Sequence, residues 1–398
     1  MYSLSSNSIS KLLVVCSALN LEIELGATPA WWQLMKALFE EGVELVVLPY
    51  RGRAIRSLWW RCYKNPCYYE GEFYAHLLKL TTCFPITKNL TRQKRESIVP
   101  KIANMFIKPK WKKHLKKILG RERDIDAVLF LQVPLNHLKG VPTFVRKEFG
   151  VPIIYYDGDL PVSLPEYGGY TFNFYIGADL SEFDAFIVNS EGVIPRLKEM
   201  GAINVYAVHY GVDPSIYRPL PLPKDMDIFY SGLGAKFREK WIDSMITFPS
   251  EKLNGVSFVV AGLKMPNFGD NVQSLPMLPF NQWLRYCCRS KITLNIARES
   301  HAMTPGTSSS RPFELAALGC CIISNPYLGL KKWFEIGKEL LVVNNTDEAV
   351  EVYRWLLADE EIRSKIGQAA RERVLKEHTF RHRAQQLLSV INKVISKN

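Results

Sequence analysis

The run Ser310-Arg311-Pro312-Phe313-Glu314-Leu315-Ala316-Ala317-Leu318-Gly319 leads directly into Cys320-Cys321-Ile322-Ile323-Ser324-Asn325. Pro312 suits the first turn of a helix, where its missing N–H costs nothing. Ala316 and Ala317 permit close packing, Gly319 stops the helix, and an apolar strand follows. A helix, a glycine and a buried strand in that order form one repeat of a parallel α/β sheet. The preceding Thr304–Ser310 loop is rich in hydroxyls, and a helix N-terminus after such a loop is a ready anion site. Arg311 adds a fork that matches phosphate oxygens. Glu314 in the first turn also has a plainer explanation, since a carboxylate there offsets the helix dipole.

The same alternation extends in both directions. Asp227–Tyr230, Val256–Ala261, Ile292–Ile296, Cys320–Ser324 and Leu340–Val343 read as strands. Helical patterns at 236–247, 280–288, 312–318 and 346–358 fall between them. Upstream, Leu12–Leu19, Val43–Leu48, Ala127–Leu131, Pro152–Tyr156, Ala185–Val188 and Val205–Val208 form a second strand set. Trp31, Leu34, Met35 and Leu38 mark an amphipathic helix between the first two. The expected fold is α/β, with two doubly wound Rossmann-like domains facing a cleft and helices at the C-terminus. The boundaries read as 1–210, with an aromatic and basic insertion at about 50–123, then 211–376 and a final helix at 377–398. Phe380, Ala384, Leu387, Leu388, Ile391, Val394 and Ile395 trace one face of that helix.

Length and composition agree. The chain has 398 residues, 47% hydrophobic and 23% charged, which excludes wholesale disorder and collagen-like or coiled-coil architectures. No apolar run approaches the ~18–20 residues of a membrane span, and Leu12–Val15 lacks the flanks of a signal peptide. The eight cysteines show no C-x-x-C or zinc-finger spacing. Reduced thiols and a cytoplasmic protein are expected, without a bound metal.

The net charge is +12, and Lys88–Arg123 carries thirteen Lys/Arg against two Glu. Within it, Ile98, Ile102, Met105 and Phe106 form one apolar stripe, and Trp111, Leu115, Ile118 and Leu119 another. A basic amphipathic helix with Trp fits peripheral contact with an anionic membrane through 98–119. It equally fits a stripe packed on the first domain with its lysines in water. No nucleic-acid motif accompanies the charge, so a nucleic-acid partner is not expected.

Four further segments carry chemistry. Ser231-Gly-Leu-Gly-Ala-Lys236-Phe-Arg238 follows a strand. Gly232 and Gly234 would let backbone approach a diphosphate that Lys236 and Arg238 neutralise. Charge reversal of Lys236 and Arg238 is expected to abolish turnover and spare the fold. Arg298 and His301 lie in a strand-end loop, where site residues concentrate. Tyr155-Tyr-Asp157-Gly-Asp159-Leu-Pro161 delivers two carboxylates to the cleft edge of the first domain. Either suits a general base or an acceptor hydroxyl, and both also suit Asx-turn chemistry. Gly26 and Thr28 open the first helix, where Thr28 is also a good N-cap.

The Ser310–Asn325 run resembles the nucleotide-sugar site of GT-B glycosyltransferases, the group 1 family. The resemblance runs on through Tyr327–Val343, Ile362–Gly367 and Arg371–Arg383, and is closest to the CgeB-like, spore-maturation type. His209-Tyr-Gly-Val-Asp213-Pro-Ser-Ile-Tyr-Arg-Pro219 resembles the segment linking the two GT-B domains. The resemblance implies a glycosyltransferase moving a sugar from a nucleoside-diphosphate sugar to a hydroxyl acceptor, carbohydrate or lipid-linked. It implies Glu314 on the ribose, with Ser310, Arg311 and Phe313 beside the donor, and no tightly bound cofactor. It leans towards retention of anomeric configuration. One departure is the position eight before Glu314, where many retaining members carry a second glutamate and this chain has Gly306. A nucleotide-sugar epimerase or phosphorylase on the same frame, or a non-catalytic nucleotide-sugar-binding protein, stays open.

Overall fold

The computed structural model describes residues 9–19, 29–73, 101, 103–167, 174–233 and 237–397. These divide into two compact units. One holds the described residues up to 19, 35–208 and 384–397, and the other holds 29–34 and 209–383.

The first unit is built on a seven-stranded sheet. Its strands are β1 (Lys11–Ala18), β2 (Glu44–Arg51), β3 (Arg61–Cys62), β4 (Ala127–Leu131), β5 (Ile153–Asp157), β6 (Ala185–Val188) and β7 (Val205–Ala207). All pair in parallel in the order β3-β2-β1-β4-β5-β6-β7. Leu12, Leu13, Val14 and Val15 are all buried. A strand apolar on both faces is what a sheet covered on both sides requires. Helix α1 (Ala30–Glu40) precedes β2, and Gly42, at φ +89°, makes the turn between them.

Helix α2 (Lys108–Arg121) is the basic amphipathic segment. Its stripe of Trp111, Leu115, Ile118 and Leu119 is buried in the core of the first unit. The Trp111 ring stacks on Tyr50 at 5.7 Å. The Trp111 stripe thus packs on the first unit and offers no apolar face to a membrane surface. On the other face Lys110 pairs with Glu70 and Lys116 with Glu148. Met105 and Phe106, in the turn before α2, are exposed. Residues 98–100 and 102 of the segment lie outside the described residues. Helix α3 (Val141–Phe149) packs beside α2.

The second unit has six parallel strands. They are β8 (Met226–Leu233), β9 (Phe258–Leu263), β10 (Val272–Leu275), β11 (Ser290–Asn295), β12 (Ile322–Ser324) and β13 (Leu341–Val342), in the order β10-β9-β8-β11-β12-β13. Strand β10 is an addition to the sequence reading; it lies at the sheet edge, with Gln273 and Ser274 exposed. Helices α4 (Phe280–Arg289), α5 (Glu299–Met303), α6 (Ser310–Ala317), α7 (Thr346–Ala358) and α8 (Glu360–Glu377) belong to the second unit, and α9 (Phe380–Ile395) follows, counted from Ala384 onward with the first unit. The apolar face read on α9 is real: Phe380, Ala384, Leu387, Ile391 and Val394 are buried. Among the described residues no helix is long and apolar enough to cross a membrane.

The strand order reverses between β8 and β11 in the second sheet. Ligands of open α/β sheets bind outside the carboxyl ends of the strands at such a switch point.

Candidate functional site

Arg238 spans the switch point of the second sheet. Its Nε donates to the Ile296 carbonyl at 2.8 Å, just beyond β11, and its NH1 donates to the Leu233 carbonyl at 2.9 Å, at the end of β8. The guanidinium therefore ties the two strand ends together while holding a positive charge in the crevice. This revises the expectation that charge reversal there spares the fold, since a carboxylate could not replace either donor.

Gly232 does not sit in a phosphate loop. It lies inside β8, opposite Gly262 of β9. A Cβ on Gly262, at φ +153°, would stand 1.9 Å from the Gly232 carbonyl oxygen. That contact accounts for Gly262; at Gly232 a Cβ would meet the Tyr230 hydroxyl at 2.6 Å, so both glycines have a packing reason without a ligand. Gly234 and Lys236 lie outside the described residues, as do Gly26 and Thr28.

Helix α6 starts at the same edge. Glu314 is 2% exposed and accepts from the Tyr217 hydroxyl at 3.3 Å through Oε1. Its Oε2 stands 3.2 Å from Arg311 NH1, one turn earlier. Arg311 in turn lies 4.4 Å over the Trp283 ring of α4. Neither Oε2 nor Arg311 NH1 makes a hydrogen bond among the described residues, so Tyr217 orients the carboxylate and Arg311 offsets its charge. Ser310, half-buried, is the first residue of α6. Phe313 is in the core instead of beside a donor. It has no exposure, and its ring packs against Trp333, Phe334 and His378. Phe313 is about 100° round the helix from Glu314, on the side where these three rings pack.

The hydroxyl-rich loop before α6 is partly committed to structure. Ser308 is buried, and its Oγ accepts from the Tyr210 N–H at 2.9 Å. Gly329 lets the next segment lie against it, since a Cβ there would meet the Thr307 carbonyl oxygen at 2.5 Å.

Beyond β11, Arg298 is half-buried and His301 buried on α5. His301 Nε2 makes no hydrogen bond among the described residues. Burial, and then the charges of Arg298 and Arg238, push its imidazole down to about 3, so it is neutral at pH 7. It can donate or accept one hydrogen bond there but carries no charge. Asn295, Ser324 and Asn325 complete the edge as a buried polar layer. Asn295 Nδ2 donates to Ser324 Oγ at 2.9 Å, and Asn325 Oδ1 accepts from the Ala297 N–H at 2.8 Å.

In the first unit Asp157 ends β5 and is fully buried. Its carboxylate accepts from the Tyr175 hydroxyl at 2.8 Å, the Asp159 N–H at 2.8 Å and the Ser163 hydroxyl at 3.2 Å. Burial, helped by the nearby Asp159 charge, pushes its pKa up to about 6. This is the Asx-turn reading: Asp157 shapes the loop. Asp159 is the more exposed of the two. Among the described residues no group of three His, Cys, Asp or Glu is placed to hold a metal.

The sequence reading did not name Tyr217, Trp283 or Asn325 as site residues. Tyr217 was visible only as part of the linking segment, and Trp283 only as an apolar position of a helix.

Residues 238–389 match a family model described as glycosyl transferase-like. The solved structures give the architecture of the whole chain. Sucrose-phosphate synthase from Thermosynechococcus elongatus superposes with a TM-score of 0.66 at 15% identity, covering 98% of this chain and 100% of its own. The fold is GT-B. Anabaena HepE, solved with UDP-glucose, gives a TM-score of 0.61 at 10% identity, covering 96% of this chain and 99% of its own. An E. coli trehalose-6-phosphate protein bound to UDP-2-fluoroglucose gives 0.60 at 12%, covering 96% and 99%. No curated protein matches the chain. On this GT-B frame, the edge carrying Arg238, His301, Arg311 and Glu314 belongs to the second unit, and the glycosyl transferase-like match includes all four.

Proposed function

We propose that this protein is a nucleotide-sugar-dependent glycosyltransferase, with its donor held at the carboxyl edge of the second sheet. The observation that carries the reading is the buried Glu314 carboxylate, fixed by Arg311 and Tyr217 at the start of α6. Fixed carboxylates of this kind suit a pair of ribose hydroxyls, which donate two hydrogen bonds in a defined plane. Arg238 and Arg298, with Lys236, supply positive charge for the departing diphosphate, and preorganised charge of this kind is a large catalytic term. His301 supplies a neutral hydrogen-bonding group beside them. HepE solved with UDP-glucose on the same fold supports a nucleoside-diphosphate donor.

The acceptor belongs to the first unit in this reading. Asp159 is its acceptor-side carboxylate, while Asp157, already accepting three hydrogen bonds, only shapes the loop. That arrangement fits retention of configuration, in which the leaving diphosphate serves as base. The run from Arg371 to Arg383 supports placement in the CgeB-like group. The acceptor is a carbohydrate or a lipid-linked sugar.

The test is a screen of nucleoside-diphosphate sugars for release of nucleoside diphosphate, with and without acceptor glycans, on the wild type and Glu314→Gln. Acceptor-dependent release that falls at least a hundredfold in the variant supports the reading. Acceptor-independent turnover would favour an epimerase, and a requirement for inorganic phosphate would favour a phosphorylase. Proton NMR of the first product formed reads the anomeric configuration directly.

A further inference from the structure

A second, separate site lies at the opposite edge of the second sheet. A cavity of about 310 Å³ opens under the amino-terminal ends of β8, β11 and β12. The six-residue β11 separates this edge from the donor edge by about 17 Å at ~3.3 Å per residue. The cavity wall is apolar, from Leu220, Leu222 and Leu318 with Cys288 and Cys321. Into it come four cations, Lys224, Lys291, Arg363 and Arg371, against one carboxylate, Glu360.

Three of these cations, Lys224, Arg363 and Arg371, are held in place by carbonyls. Lys224 Nζ donates to the Ser290 carbonyl at 2.9 Å. Arg363 NH1 donates to the Leu356 and Leu357 carbonyls at the end of α7, and Arg371 NH1 donates to the Ala317 carbonyl at the end of α6. Carbonyls orient a charge but do not cancel it. Among the described residues, Lys291 alone of the four has an acidic partner, Asp227 at 2.7 Å. Nε and NH2 of both arginines make no hydrogen bond among the described residues, leaving donors available on each fork. The field of the cluster reaches the wall: the Cys321 thiol is pushed up to about 12 by burial, and Arg363 and Lys224 both oppose that shift.

The shape is fixed by two glycines. A Cβ on Gly367 would stand 2.3 Å from the Gly319 carbonyl oxygen, so α8 approaches the α6–β12 turn closely enough to bring Arg363 and Arg371 over the cavity. Gly319 itself is at φ +70°.

We propose that this cavity binds a small phosphate-bearing anion, with Arg371 and Lys224 as its principal ligands. The size suits a phosphate or pyrophosphate group on a small body, and its apolar wall excludes an extended polyanion. The segment Pro219–Lys224 forms one side, so an occupant would touch the chain immediately before β8.

Inorganic pyrophosphate is the probe, tested on the full chain by calorimetry and thermal unfolding. Sodium chloride at matched ionic strength controls for screening, and saturating UDP blocks the donor edge. The variants are Lys224→Gln, which removes an exposed charge, and Ser364→Phe, which fills the cavity from α8 and removes none. Arg363 is left intact because it also caps α7. We expect the wild type to bind pyrophosphate with UDP present, Lys224→Gln to bind about tenfold more weakly, the gain of one charge-assisted hydrogen bond, and Ser364→Phe to lose binding. Both variants should keep the wild-type response to UDP. Absence of wild-type binding up to about 10 mM, or binding unchanged in both variants, would overturn the proposal. If UDP itself does not bind, the pyrophosphate results are read alone, because the two sites share no residue.

Discussion

Arg311 NH1 stands 3.2 Å from Glu314 Oε2, and the pair closes within one turn of α6. The carboxylate is nearly inaccessible and the guanidinium about a quarter exposed, lying on Trp283. A buried charge of this kind depends on its partner, because removing one side leaves the other desolvated and uncompensated.

Arg311→Ala should therefore destabilise the fold by about 3 kcal/mol. Arg311→Ala combined with Glu314→Gln should recover much of that loss. Urea unfolding of the single and double variants measures the coupling. Additive effects would show that the pair does not stabilise α6.

Asp157 makes stability fall with pH. Its folded pKa, about 6, is above the ordinary carboxylate value. Between about pH 4 and 6 the folded state therefore binds the extra proton, and stability declines as pH rises through that window. Relative to the wild type, Asp157→Asn should gain about 3 kcal/mol between pH 4 and 6 and little outside it. Chemical denaturation at pH 4, 5, 6 and 7 tests the sign. A constant difference would mean that Asp157 does not titrate in this range.

Trp111 is a core residue despite its basic surroundings. Trp111→Ala should cost about 3–5 kcal/mol in thermal or urea unfolding. Lys112→Glu with Lys113→Glu should change stability by less than about 0.5 kcal/mol. Equal small effects would return the stripe to the surface.

Gly262→Ala should be poorly tolerated, since its Cβ would overlap the Gly232 carbonyl and its backbone is at φ +153°. A loss of about 3 kcal/mol or more is expected, from steric overlap and backbone strain together. Wild-type stability in this variant would remove the explanation given for Gly262.

Both sheets were legible because strands such as Leu12–Val15 and Ala127–Leu131 are apolar throughout, and the helices between them keep a 3.6-residue period. What the sequence hid was pairing and depth. Gly232 reads as loop glycine until β8 runs through it and the Tyr230 hydroxyl fills the space of a Cβ. Asp157 reads as a reactive carboxylate until Tyr175 and Ser163 fold over it. Phe313 and Glu314 are adjacent in the chain, and only the surrounding helices and rings decide which faces the core. The stripe of α2 had the same ambiguity: amphipathic spacing gives a face but not what covers it. Tyr217 was unreadable for a similar reason, because its partner is 97 residues away.

The central claim is that the carboxyl edge of the second sheet binds the nucleotide of a sugar donor. Thermal unfolding with UDP, GDP, ADP, CDP and dTDP tests it most directly, on the wild type and Glu314→Gln. A ligand at about 100 times its Kd stabilises by about 2.7 kcal/mol. One of these nucleotides should raise the wild-type Tm by several degrees, and Glu314→Gln should lose most of that rise. No rise with any of them, or the same rise in Glu314→Gln, would contradict the account.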